Sequence, residues 1–134
     1  MPDSFGFFVD PGLSARITVD NPITAIISVD GTRPTVDRVI YLGSPTAGRR
    51  IRAAVPNIRI SITNPAGWVM ERLALSSAGL DAAINGAELD TGVSTLLGGA
   101  ANALPIHVRF LSATATGTST VAFRTSEVME DAAP

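Results

Sequence analysis

Apolar and polar residues alternate with a period of two along most of this chain. The clearest run sets Ile58, Ile60 and Ile62 against Arg59, Ser61 and Thr63, the spacing of a strand with one face buried and one wet. Just before it, Ile51, Ala53 and Val55 alternate with Arg50 and Arg52. Towards the C-terminus, Ile106, Val108 and Phe110 alternate with His107 and Arg109, and Val121 and Phe123 with Thr120, Ala122 and Arg124; the two runs read as a final hairpin. Residues 15–30 also read as β. Asn21-Pro22 interrupts them because proline cannot donate to a ladder, and Ile26 predicts a strand covered on both sides. Val36–Leu42 is a further β-branched run.

Turn chemistry separates these runs. Asp30-Gly31 and Asn64-Pro65-Ala66-Gly67 carry turn signatures, the second that of a type I turn. Trp68–Leu75 mixes helix-favouring and strand-favouring residues and is read as strand, since it is short and follows a turn. Residues 76–104 are rich in small side chains. Two readings of this region stand: Asn85-Gly86 as a hairpin tip, or a short helix capped by Ser77, running to Ile84 and ended by Gly86. Thr91–Leu104 is expected to be an extended loop or one loose helical turn.

Seven to nine short strands and at most one or two short helices predict an all-β fold, an antiparallel β-sandwich or jelly-roll-like domain. The expected organisation is an N-terminal arm over 1–14, one β domain over 15–126 and a flexible acidic tail over 127–134. If the segments around Pro56-Asn57 pair with each other, Arg50, Arg52 and Arg59 share one sheet face.

Composition narrows the chemistry. The 134 residues contain no Cys and one His, and all ten basic residues are Arg; the net charge is −2. Disulfides and thiol catalysis are thereby excluded, and non-specific binding to nucleic acid or membrane is disfavoured. The N-terminus shows no basic and apolar leader pattern, and no apolar run approaches the ~20 residues of a membrane helix. His107 is the one candidate for imidazole chemistry and reads as a surface residue of its strand. Glu71, Asp81, Glu88 and Asp90 could supply a carboxylate pair for hydrolysis, but acids scattered over twenty residues read as solvated. No cofactor or metal is expected.

Two features point to contact rather than catalysis. Phe5, Phe7 and Phe8 crowd the N-terminus, where they either tuck under the domain or dock on a neighbour. Arg49, Arg50, Arg52 and Arg59 fall close together, and guanidinium forks suit carboxylates on an acidic surface. With the arm from Phe5 to Pro11, a Cys-free β-body and the small-residue loop from Thr91 to Leu104, the chain resembles small accessory proteins of bacteriophage virions, such as head decoration or cement proteins and tail-associated β-domains. That resemblance implies a non-enzymatic, trimeric or otherwise symmetric module seated on a capsid or tail lattice. Phe5, Phe7, Phe8, Arg50, Arg52 and Arg59 would then be the partner-binding residues, the partners would be capsid or other assembly subunits, and the protein would reside in the virion. The alternative is a carbohydrate- or small-ligand-binding β-sandwich, which would need Trp68 and Tyr41 exposed on one face.

Overall fold

The computed structural model describes residues 5–18, 23–27, 35–54, 56–63, 70–84, 86–111 and 117–133. Among them twelve strands, one short helix and one 3₁₀ turn (Ala100–Asn102) form an all-β, sandwich-like domain. The strands are β1 Gly6–Phe8, β2 Arg16–Ile17, β3 Ile23–Ile27, β4 Thr35–Gly43, β5 Arg49–Ala53, β6 Arg59–Thr63 and β7 Met70–Ala74. After the helix α1 (Gly79–Ala82) come β8 Leu89–Asp90, β9 Thr95–Leu97, β10 Leu104–Leu111, β11 Gly117–Thr125 and β12 Val128–Ala132.

They make three sheets, ordered β2-β1-β4-β10-β7, β3-β11-β6-β8 and β12-β5-β9, with antiparallel pairing throughout. Period-two patterning explains the first interface. Ile106, Val108 and Phe110 on β10, Ile40 and Leu42 on β4, and Phe7 on β1 turn inward and are buried. Ile23, Ile60, Val121 and Phe123 of the second sheet close on them in one continuous core. No helix among the described residues is long and apolar enough to cross a membrane.

Pairing differs from the sequence expectation in three places. β10 and β11 do not form a hairpin: β10 lies between β4 and β7 in the first sheet, and β11 between β3 and β6 in the second. β5 and β6 do not pair across Pro56 and Asn57. They run in line, β6 along β11 and β5 along β12, so the third sheet continues the second past a corner. Val128–Ala132, expected within a flexible tail, forms β12 and pairs residue for residue with Ala53–Arg49. The turns expected at Asp30-Gly31 and at 64–67 lie outside the described residues.

The corner has its own backbone bonding. Ala53 N donates to Ser94 O (2.8 Å), Ile58 N to Val93 O (2.8 Å) and Ser126 N to Arg59 O (2.8 Å). The buried Thr91 hydroxyl donates to Ile58 O at 2.7 Å. These bonds satisfy polar groups that a bend in a ladder would otherwise strand.

From Phe5 onward the expected arm is part of the domain. Phe5, Phe7 and Phe8 are 0%, 2% and 3% exposed. β1 pairs with β2 and with the Tyr41–Gly43 end of β4, and the Phe7 ring meets Phe123 of the second sheet. Three aromatics near a terminus therefore mark self-burial here. In the 76–104 region the helical reading is the nearer one, although α1 is shorter than expected and Ser76, not Ser77, accepts from the Gly79 amide (3.0 Å). The segment from Thr91 to Leu104 contains β9, and the loose helical turn offered for it is the 3₁₀ turn Ala100–Asn102.

Candidate contact surface

The third sheet buries one face and presents the other. Ile51, fully buried, and Leu96 turn towards the core, with Val128 partly buried beside them. Strand alternation then puts Met129 and Asp131 of β12, Arg50 and Arg52 of β5, and Thr95 and Leu97 of β9 on the outer face. Register sets Met129 and Thr95 on either side of Arg52, and Asp131 and Leu97 on either side of Arg50.

Charge on this face is shared unequally. Arg50 Nε donates to Asp131 Oδ1 at 2.8 Å, and Arg52 Nη2 donates to Asp131 Oδ2 at 2.7 Å. The Arg50 hydrogen bond, with further help from both guanidinium charges, holds the Asp131 carboxyl below the usual range. One carboxylate thus serves two guanidiniums, leaving forked donors facing solvent. Apolar surface brackets them: Met129 is 63% exposed and Leu97 45%. Beside Arg52 and Met129 a recess of about 140 Å³ opens at the corner, with Ala54, Glu127 and Val128 also in its walls.

Of the six residues expected to bind a partner, Arg50 and Arg52 are the two that stand on this face. Arg59 sits on β6 and faces Asp90 (3.5 Å) and Glu88 (3.9 Å). Arg49 points to the opposite face from Arg50 and binds Glu130 at 3.0 Å. Phe5, Phe7 and Phe8 are in the core. Sequence reading missed Asp131, Met129 and Leu97 as members of the face. The signal available was complementarity between Arg49, Arg50, Arg52 and the acids Glu130 and Asp131, some 80 residues apart and masked by the expectation of a loose tail.

The four acids with catalytic potential are dispersed. Glu88 and Asp90 flank Arg59, while Asp81 binds Arg109 at 2.6 Å on the outer side of the first sheet. Glu71 is buried on β7 opposite Phe110, its Oε1 without a hydrogen-bond partner among the described residues, and desolvation pushes its carboxyl up to about 7. His107 lies half-buried on the outer face of β10, in register with Val39 and Ala74. Among the described residues no group of three or more His, Asp or Glu is arranged to hold a metal ion.

Fold and surface together define the class as an all-β, sandwich-like domain with a mixed Arg and Met face on a small, two-edged sheet. No family model matches the chain, and neither the curated proteins nor the solved structures contain a match to it.

Proposed function

We propose that this protein is a non-enzymatic structural module that binds a neighbouring subunit of a larger assembly, a capsid or related virion lattice, through the outer face of β12-β5-β9. The observation that carries the reading is the Arg50–Asp131–Arg52 cluster bracketed by exposed Met129 and Leu97. Protein interfaces favour Arg and Met at the centre of the patch, and under-neutralised guanidiniums select acidic partners. The recess beside Met129 offers a place for one apolar side chain of the partner. Symmetric repetition of such a contact multiplies a modest affinity without a deep pocket. The N-terminal arm drops out of this mechanism, because its aromatics are already used in the core.

Incorporation into particles tests the reading. Virus particles should carry the native chain and should lose at least about nine-tenths of it on combining Arg52→Glu with Met129→Asp, as a charge reversal plus a buried charge costs several kcal/mol at an interface. Undiminished co-sedimentation of a folded double variant, or failure of the native chain to associate with any particle, would overturn it. The carbohydrate-binding alternative rests on Tyr41 together with Trp68. Tyr41 is half-buried on the outer face of β4, and Trp68 lies outside the described residues.

A further inference from the structure

A second recess, of about 360 Å³, shares no lining residue with the one beside Met129. It lies beyond the end of β1. Along β4, β1 pairs with Tyr41–Gly43, and among the described residues the stretch from Ile40 back to Thr35 has β10 as its one ladder partner, with the notch beside its other edge. Val9, from the turn after β1, and Ile23, from β3, meet Val39 and Ile40 around that notch. Val9 and Val39 leave apolar surface open to solvent there.

Among the described residues of the lining, Arg38 and Thr24 carry the polar side chains. The hydrogen bond that Arg38 makes among the described residues runs from Nη1 to the carbonyl of its own neighbour Asp37, at 3.2 Å. The Asp37 carboxylate does not serve it, being held on the far face by Arg109 Nε (2.9 Å) and Nη2 (3.1 Å). The Asp10 carboxylate, in the nearby β1–β2 turn, is occupied by the Ser14 hydroxyl (2.6 Å) and the amides of Ser14 and Ala15. An aliphatic cleft thus carries an unspent guanidinium fork and a hydroxyl.

Small-molecule sites have this constitution, an apolar wall with a few converging polar groups, and their volumes start at about 300 Å³. The guanidinium fork matches a carboxylate in two parallel hydrogen bonds, and an ammonium or a neutral head would leave it unmet. We propose that the notch binds a small aliphatic monocarboxylate, its carboxylate on Arg38 and its alkyl chain against Val9, Ile23, Val39 and Ile40. This site is independent of the Arg50–Arg52 face, so either proposal can fail alone.

Octanoate is the probe, titrated into the full chain by calorimetry and followed by amide chemical shifts. Binding should be saturable, with the largest shifts at Val9, Thr24 and residues 38–40. Arg38→Gln should weaken it roughly tenfold or more, as loss of a bidentate charged pair does. Because Arg38 is exposed, its melting temperature should match that of the native chain. Octanol, with the same tail and no charge, should also bind at least about tenfold more weakly. No saturation at millimolar octanoate, equal affinity for octanol, or an unchanged Arg38→Gln affinity would each overturn the proposal. So would tighter binding of a peptide ending in a valine carboxylate, which would make the occupant a protein chain end.

Discussion

The Phe7 ring lies 5.6 Å from that of Phe123, tilted by 44°, and so ties the first strand of one sheet to the centre of the other. Tilted pairs at this distance add a little beyond the area they bury. The first prediction follows from that position. Phe7→Ala should destabilise the isolated domain by about 3–5 kcal/mol, the usual cost of emptying a buried phenylalanine site. Denaturant unfolding would measure it. A variant as stable as the native chain, with only its association altered, would return Phe7 to the role of a docking arm.

That pair also shows how much the sequence disclosed. Alternation located β6, β10 and β11, because a period of two says which side chains share a face. It does not say which strand lies alongside. Turn residues between Phe110 and Val121 reverse the chain equally well for a hairpin and for a crossing between sheets, and here the chain crosses. β5 and β6 each alternate well, yet they lie end to end around a corner. The corner was invisible because its bonds come from residues 91–94 and 126–127, distant in sequence. The contact face was half legible: Arg50 and Arg52 were found, but their carboxylate stands on a strand whose apolar content is too thin to announce itself.

Glu71 should make stability depend on pH in an unusual direction. It is 4% exposed, lies opposite Phe110 and has one oxygen without a hydrogen bond among the described residues, and burial lifts its carboxyl from 4.5 to about 7. Below pH 4.5 the group is protonated in both folded and unfolded chains. Between pH 4.5 and 7 the unfolded chain loses its proton first, so the folded state is progressively penalised. Above pH 7 the loss levels off at about 3 kcal/mol, since each pH step separating the folded and unfolded titrations is worth ~1.4 kcal/mol. Glu71→Gln should flatten thermal stability across this window, and Glu71→Leu should raise it at neutral pH. An identical pH profile for native and Glu71→Gln chains would show that the carboxyl finds a partner or water.

Gly98 is needed for want of space. A Cβ there would collide with the carbonyl oxygen of Thr46 and lie 3.1 Å from that of Arg49, both backbone atoms. Gly98 N also donates to Arg49 O at 2.6 Å, closing the end of β9 on β5. Backbone cannot swing aside as a side chain can, so Gly98→Ala should cost about 1–3 kcal/mol, as overpacking does. Amide exchange at Thr95–Leu97 should quicken first, since β9 is the edge strand that depends on this junction. Unchanged protection of β9 in Gly98→Ala would mean that the 46–49 turn yields without cost.

Leu80 and Asp81 are neighbours on α1 that should behave oppositely. A four-residue helix has no stability of its own and persists only through tertiary contacts. Leu80 is fully buried against the first sheet, and its carbonyl accepts from Arg72 Nη1 at 3.3 Å. Asp81 reaches Arg109 at 2.6 Å, but its side chain is 75% exposed. Burial outweighs an exposed ion pair: Leu80→Ala should cost about 2–5 kcal/mol, and Asp81→Asn no more than about 1 kcal/mol, an effect that salt should erase. Arg109 keeps Asp37 as a second partner, which further softens the loss of Asp81. If Asp81→Asn proved the costlier of the two in equilibrium unfolding at physiological salt, α1 would be held by charge and not by its leucine.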